Sequence, residues 1–116
     1  MPLLKLHTSA PVPEGKKNSM MAEASRILSE AAGKPEKYTM VVLESVDVMM
    51  AGKPAATAAY VDIRGIGGFN PAVNKKISGE LCAMLKAQLG VDPAAVYITF
   101  TDVPASNWGW NGGTFG

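Results

Sequence analysis

Proline at position 2, directly after Met1, is the residue of this chain with the most unusual chemistry. Removal of Met1 would leave Pro2 as a free secondary amine. An α-amino group has an ordinary pKa of about 8, and burial or a nearby cation disfavours its charged form. Such an amine is suited to remove a proton from a carbon next to a carbonyl at neutral pH. Proline at position 2 is also common, so this residue alone is a weak signal.

Lys34 is a second candidate, in the segment Gly33-Lys34-Pro35. Its ammonium could hold a carboxylate and lower the pKa of a neighbouring amine. A lysine just past a helix end is also stabilised by the helix dipole. For Lys34 alone, this structural explanation is favoured over a role in binding.

Other reactive residue types are scarce. The chain has one histidine, His7, and one cysteine, Cys82, so no His/Cys cluster predicts a metal site and no cofactor is expected. We interpret His7 as a structural strand residue and Cys82 as helix packing, since no histidine is placed to activate the thiol. The glycine-rich segment from Arg64 to Gly68 lacks the spacing of phosphate-binding motifs, and predicts a tight turn or backbone lining a pocket.

Two helices are predicted around these candidates. The first carries one apolar stripe and ends at Gly33, followed by Pro35; the stripe comprises Met20, Met21, Ala24, Ile27, Leu28 and Ala31. The second begins at Asn70-Pro71, a favourable N-cap and first-turn pair, and ends at Gly90. We expect a loop over residues 10–15.

Four strands complete the pattern. They are predicted over Pro2–Thr8, Tyr38–Glu44, Ala55–Ile63 and residues 96–101, with a turn at 51–54. The run from Met40 to Leu43 is continuously apolar, which predicts an interior strand rather than an edge. The order strand–helix–strand occurs twice.

The fold class expected is therefore α+β: two βαβ units form one four-stranded sheet with both helices on one face, followed by short C-terminal strands. The other sheet face would be bare, and burying it against copies of the same chain predicts a homo-oligomer. The length of 116 residues predicts a single domain over residues 1–116.

The composition and charge of the chain argue against some classes of binding partner. Apolar residues make up 47% and charged residues 18% of the chain, and the net charge is +1. Without basic runs or alternating aromatic and basic residues, neither nucleic acid nor a membrane surface is expected as a partner. The start of the chain lacks the pattern of a signal peptide, so we expect a cytoplasmic location, although export by a non-classical route stays open.

The chain resembles the macrophage migration inhibitory factor family, which includes D-dopachrome tautomerase and belongs to the tautomerase superfamily. The similarity runs essentially from end to end. It rests on the order and spacing of several segments: Pro2 after Met1, Gly33-Lys34-Pro35 with Tyr38, Ile63 with Ile66-Gly67-Gly68, Val96-Tyr97-Ile98, Asn107-Trp108-Gly109-Trp110-Asn111, and Thr114-Phe115.

The resemblance implies a homotrimer whose sheets line a central barrel and whose pockets lie between subunits. It implies a keto–enol tautomerase of aryl α-keto acids such as phenylpyruvate, or of dopachrome-like compounds. Pro2 would be the catalytic base, with Lys34 and the backbone of Ile63 holding the substrate and Tyr97 contributed by the neighbouring subunit. The wall of the pocket would be made of Tyr38, Trp108 and Phe115.

Two departures from the family pattern bear on function. Thr99 occupies the position where animal members often carry asparagine, so a hydroxyl with shorter reach would contact the substrate there. The segment Ala55-Ala56-Thr57-Ala58 replaces a Cys-x-x-Cys pair present in some members, which excludes a thiol–disulfide activity. Two alternatives to the enzyme stay open: a cytokine-like protein that binds a receptor, for which no sequence feature marks the contacts, and a structural trimer whose amine chemistry is vestigial.

Overall fold

A computed structural model describes residues 2–116 of the chain. Its main sheet has four strands. The strands are β1 (Leu3–Thr8), β2 (Met40–Ser45), β5 (Ala59–Gly65) and β6 (Val96–Asp102). Their order across the sheet is β2-β1-β5-β6. Strand β1 is parallel to β2, β5 is parallel to β6, and the central pair β1 and β5 is antiparallel. The two predicted βαβ units are thus confirmed, and they join side by side.

Two helices of equal length make the crossovers, α1 (Glu14–Ala32) and α2 (Pro71–Leu89). The predicted ends are correct: Gly33 and Gly90 both adopt the left-handed conformation that glycine tolerates best. The predicted cap of α2 is also correct, because the Asn70 side chain accepts a hydrogen bond from the Val73 N–H at 2.9 Å.

Helix α1 begins earlier than expected. The prediction of a loop over residues 10–15 is wrong at its end, because Glu14 and Gly15 already belong to the helix. Pro13 stands at the N-cap without a side-chain hydrogen bond. The local sequence therefore lacks the Ser, Thr, Asp or Asn signal that marks most helix starts.

The hydrophobic core lies between the helices and one face of the sheet. Alternate residues of the two central strands are buried there, including Leu4, Leu6, Val61 and Ile63. The helices contribute their apolar stripes: Met20, Ala24, Ile27, Leu28, Ile77, Leu81, Met84 and Leu85. Both helices thus cover the same sheet face, as predicted.

The opposite sheet face carries no helix within residues 2–116. Its side chains form rows across all four strands, set by the strand register. One row is Val42, Lys5, Asp62 and Thr99, and the next is Glu44, His7, Tyr60 and Tyr97. We call this surface the open face.

Strand β2 lies at an edge of the sheet, so the expectation that its apolar run would be interior is wrong for the single chain. Val41 and Leu43 pack on the core, whereas Met40 on the open face is 62% exposed. The run is continuously apolar because both of its faces are apolar, and only one of them is covered by this chain.

Two predicted strand boundaries are also wrong. Tyr38 belongs to a short 3-10 turn, Glu36–Tyr38, rather than to β2. Strand β5 begins at Ala59 rather than Ala55, because the preceding residues follow a small hairpin formed by β3 (Met49–Met50) and β4 (Lys53–Pro54). The Ala55 N–H donates to the Val48 carbonyl at 2.8 Å and closes this hairpin.

The C-terminal tail forms a second hairpin, from β7 (Gly109–Trp110) and β8 (Gly113–Thr114), which confirms the short C-terminal strands. Further 3-10 turns precede β6 and β7, at Pro93–Ala95 and Ala105–Asn107. Neither helix is both long and apolar enough to cross a membrane, as judged over residues 2–116.

Candidate active site

Pro2 lines a cavity of about 330 Å³ at one end of the sheet. The residue itself is buried, and its carbonyl accepts a hydrogen bond from the Met40 N–H at 3.1 Å. This bond extends the pairing between β1 and β2, so the sheet holds Pro2 in place. The remaining lining residues are Leu3, Lys37, Tyr38, Thr39, Met40, Trp108, Gly109, Trp110 and Phe115.

The wall of this cavity is aromatic. Tyr38 meets both Trp110 and Phe115 edge-on, with ring centroids 5.6 Å and 6.2 Å apart, and the latter two rings are stacked at 5.4 Å. Trp108 also lines the cavity. Edge-to-face and offset-stacked contacts at these distances are favourable arrangements. The structure therefore brings together four of the predicted site residues: Pro2, Tyr38, Trp108 and Phe115.

Local structure explains how these rings converge. The 3-10 turn Glu36–Tyr38 delivers Tyr38 just before the edge strand. The C-terminal hairpin returns the chain to the same place, where the Phe115 N–H donates to the Trp108 carbonyl at 3.1 Å. Two segments that are far apart in sequence thus enclose the first residues of β1.

Lys34 does not line this cavity. Its ammonium donates to the Ile66 carbonyl at 2.9 Å, which ties the end of α1 to the glycine-rich loop. It lines a separate crevice of about 220 Å³ together with Glu30 and Glu36. The side chain passes so close to Gly68 that a Cβ there would lie 2.8 Å from the Lys34 Cε.

The other predicted residues also lie outside the Pro2 cavity of the single chain. Ile63 is completely buried in the core, so only its backbone could serve a ligand. Tyr97 and Thr99 are on the open face of the edge strand β6, where Tyr97 is 68% exposed. An exposed tyrosine on an edge strand is available to another chain.

Polar contacts run across the open face. The Tyr60 hydroxyl and the Thr99 hydroxyl are 2.7 Å apart, and the Tyr60 ring stacks on His7. His7 Nε2 lies 4.0 Å from a carboxylate oxygen of Glu44. The predicted structural role of His7 is consistent with this position, and Thr99 has a partner within its own chain.

A charged pair also lies on this face. Arg64 donates two hydrogen bonds to the Asp62 carboxylate, at 3.2 Å and 3.4 Å. These hydrogen bonds and the negative charge of Asp62 raise the pKa of Arg64, which favours its charged form.

Six lining residues of the cavity were not predicted as site residues, and Lys37 and Trp110 are the two among them with long charged or aromatic side chains. The Lys37 ammonium lies 4.9 Å from the centre of the Tyr38 ring, and Trp110 packs between Tyr38 and Phe115. Trp110 lies within the segment Asn107–Asn111 that carries the family resemblance, so its aromatic side chain could have marked it as a pocket residue. For Lys37 the sequence carried no signal beyond its position next to Tyr38.

A metal centre finds no support among the described residues, because no group of three or more His, Cys, Asp or Glu side chains converges within 2–116. Burial raises the pKa of the Cys82 thiol, which keeps it protonated and less nucleophilic at neutral pH.

The fold and the cavity together define a class of protein: a small α+β chain of two βαβ units in which Pro2, just ahead of the first strand, lines a cavity with an aromatic wall. The chain belongs to the macrophage migration inhibitory factor family, since the family model described as "Macrophage migration inhibitory factor (MIF)" matches residues 1–116.

Individual relatives agree with this membership. The macrophage migration inhibitory factor of Rattus norvegicus is 34% identical over 118 residues, covering 99% of both chains. Among solved structures, the homologue from Prochlorococcus marinus is 36% identical with a TM-score of 0.91, covering 98% of this chain and 99% of that one. The Entamoeba histolytica protein is 29% identical with a TM-score of 0.92, covering 98% of both chains.

Proposed function

We propose that this protein is a keto–enol tautomerase of aryl α-keto acids such as phenylpyruvate, with dopachrome-like compounds as a further substrate class. The observation that carries the proposal is the position of Pro2 in a cavity walled by Tyr38, Trp108 and Phe115. A buried amine supplies the base, and the rings suit an aryl group.

The reaction needs one proton to move between carbon and oxygen. The Pro2 nitrogen, free once Met1 is removed, takes a proton from the carbon next to the ketone. The electron pair of that C–H bond forms the carbon–carbon double bond of an enolate, whose oxygen is then protonated. The proton lost from carbon is balanced by the proton gained at oxygen, and the amine is regenerated. A base of this kind contributes about 10²- to 10⁴-fold to the rate.

The substrate carboxylate needs a cation and a donor. We assign these roles to the Lys34 ammonium and the backbone of Ile63. Support comes from the fixed position of the Lys34 ammonium, 2.9 Å from the Ile66 carbonyl. Because Lys34 lines a different crevice from Pro2 in the single chain, the complete pocket requires a further surface.

A homotrimer would supply that surface. The edge strands β2 and β6 carry backbone groups that the sheet leaves unpaired on their outer sides, and such edges pair readily with other chains. The exposed Tyr97, and Thr99 beside it, would then enter the pocket of a neighbouring subunit. A fused 4-OT protein, 24% identical and sharing this fold at a TM-score of 0.84, is a symmetric trimer.

A cytokine-like activity is the second candidate, because the curated relatives are named macrophage migration inhibitory factors. In that case the chain would bind a receptor and the amine chemistry would be vestigial. We propose a cytoplasmic location for the tautomerase, whereas the second function requires export. Measuring the migration of macrophages exposed to the purified protein tests it independently of catalysis.

The proposed function is tested by trapping the amine. A protein of this fold, 18% identical, was crystallised after inactivation by 2-oxo-3-pentynoate. The alkyne of this α-keto acid is activated toward addition of an amine, so we expect one reagent to attach to the Pro2 nitrogen of protein lacking Met1. Intact-mass and peptide-mass spectrometry locate the label, and ultraviolet absorbance of the enol follows phenylpyruvate turnover.

Labelling and loss of turnover should proceed together, and phenylpyruvate should slow both. Protein with an acetylated N-terminus is the control and should stay unlabelled at Pro2. Label found only at lysines or at Cys82, with turnover fully retained, would contradict the proposal.

A further inference from the structure

Among residues 2–116, Lys37 is the one side chain lining the Pro2 cavity that carries a full charge. It lies in the 3-10 turn Glu36–Tyr38, so its backbone is fixed beside the aromatic wall. Its ammonium stands 4.9 Å from the centre of the Tyr38 ring, within the range of a cation–π contact.

This ammonium is available to a ligand. No carboxylate of residues 2–116 lies within ion-pair distance of it, whereas Lys17, Arg26 and Arg64 each have an acidic partner. Lys34, three residues earlier, donates one hydrogen bond to the Ile66 carbonyl and lines a separate crevice that also contains two glutamates. The two lysines therefore line different cavities of the single chain, Lys37 the Pro2 cavity and Lys34 the crevice beside Glu30.

Pro2 and Lys37 line the same cavity but differ in their exposure to solvent. Pro2 is buried, so the reacting carbon must enter deeply, while Lys37 is exposed at the opening. We expect the ring of an aryl substrate to rest on Tyr38 and Phe115, which line the same cavity. A cation at the opening thus meets the substituent on the far side of the ring.

We propose that Lys37 is a specificity-determining residue that selects α-keto acids whose aryl ring carries an anionic group, such as a carboxylate. The inference rests on the proposed function of the same cavity. The preferred substrate would carry two anionic groups, the carboxylate of the α-keto acid and a second one on the ring that Lys37 binds. An exposed ion pair of this kind changes affinity by about three- to fivefold at low ionic strength.

The test compares two phenylpyruvates of nearly equal shape, one with a para-carboxylate and one with a para-carboxamide. For the wild-type protein we expect kcat/KM to be about three- to fivefold higher for the carboxylate, with the difference appearing in KM and fading in high salt. In Lys37→Gln the ratio should fall to about one, and Lys37→Arg should restore it.

Lys53→Gln is the matched control, since Lys53 lies in the hairpin β3–β4 and does not line the cavity. It should keep the wild-type ratio. Lys34→Gln should lower kcat/KM for both compounds by the same factor. An equal ratio in wild type and Lys37→Gln, with good turnover of both compounds, would overturn the role of Lys37 alone. A failure of wild-type protein to convert either compound or phenylpyruvate would overturn the proposed function, and this inference with it.

Discussion

Gly68 shows how one side chain can restrict the residue type at another position. Its φ of +86° favours glycine, and a Cβ would lie 2.8 Å from the Lys34 Cε and 3.1 Å from the Ala32 carbonyl oxygen. Neighbouring Gly67 has a similar φ of +69°, but its nearest atom would be the Lys34 nitrogen at 4.0 Å. The two glycines therefore share a left-handed backbone conformation, which would strain any other residue, and differ in their contact with Lys34.

We predict that Gly68→Ala displaces the Lys34 ammonium and raises KM for phenylpyruvate several-fold more than Gly67→Ala does. Both variants should lower the free energy of unfolding by about 1–2 kcal/mol, the cost of a left-handed alanine. Steady-state kinetics and urea denaturation measure the two effects. Identical KM values in the two variants would show that the position of Lys34 has no bearing on substrate binding.

The candidate site was predictable only in part at this scale. Pro2, Tyr38, Trp108 and Phe115 share one cavity, and their common assignment to a site came from the family resemblance. The location of Lys34 and the proximity of Lys37 could not be read from spacing. Three residues apart, they face different crevices because the 3-10 turn at Glu36–Tyr38 lies between the end of α1 and β2. Side-chain direction in such a turn depends on tertiary contacts.

Helix α2 begins with a cap that α1 lacks. Asn70 accepts a hydrogen bond from the Val73 N–H, whereas Pro13 offers no side-chain acceptor. We predict that Asn70→Ala lowers the free energy of unfolding by about 1 kcal/mol, because an orphan backbone donor loses its partner. Urea denaturation at fixed protein concentration is the measurement.

Asn18→Ala is the control for that prediction, since Asn18 is exposed within α1. Alanine is a good helix former, so this change should leave the free energy of unfolding within about 0.5 kcal/mol of wild type. Equal destabilisation by the two substitutions would mean that the Asn70 hydrogen bond does not stabilise α2.

Elements with strong periodicity were predictable, and short ones were not. The helix ends at Gly33 and Gly90 could be predicted because glycine favours the left-handed cap and a following proline stops a helix. Strand β6 could be predicted from its alternation of apolar and polar residues. The hairpin β3–β4 has two residues per strand, which is too short for any period to show. For the same reason the alanine-rich stretch before Ala59 could be mistaken for part of β5.

At the scale of the whole molecule, residues 2–116 leave one sheet face and two edge strands uncovered. The open face carries paired groups such as Arg64 with Asp62 and Tyr60 with Thr99. Edge strand β2 presents an apolar face, with Met40 62% exposed. A monomer would leave these surfaces in water, where apolar exposure is unfavourable.

We predict that native mass spectrometry finds three chains per particle. Activity per chain with phenylpyruvate should fall on dilution in step with dissociation, because Tyr97 would come from a neighbouring subunit. Analytical ultracentrifugation at the same concentrations provides the comparison. Full activity per chain in a monomeric sample would contradict a pocket shared between subunits.

In the proposed reaction, the free amine of Pro2 is the base. The most direct test of this role compares protein that starts at Pro2 with protein carrying one extra glycine ahead of Pro2, which turns the nitrogen into an amide. Both samples are verified by intact mass and by their oligomeric state. We predict that kcat/KM for phenylpyruvate falls by at least about 100-fold in the extended protein. Equal kcat/KM in the two proteins would contradict the claim.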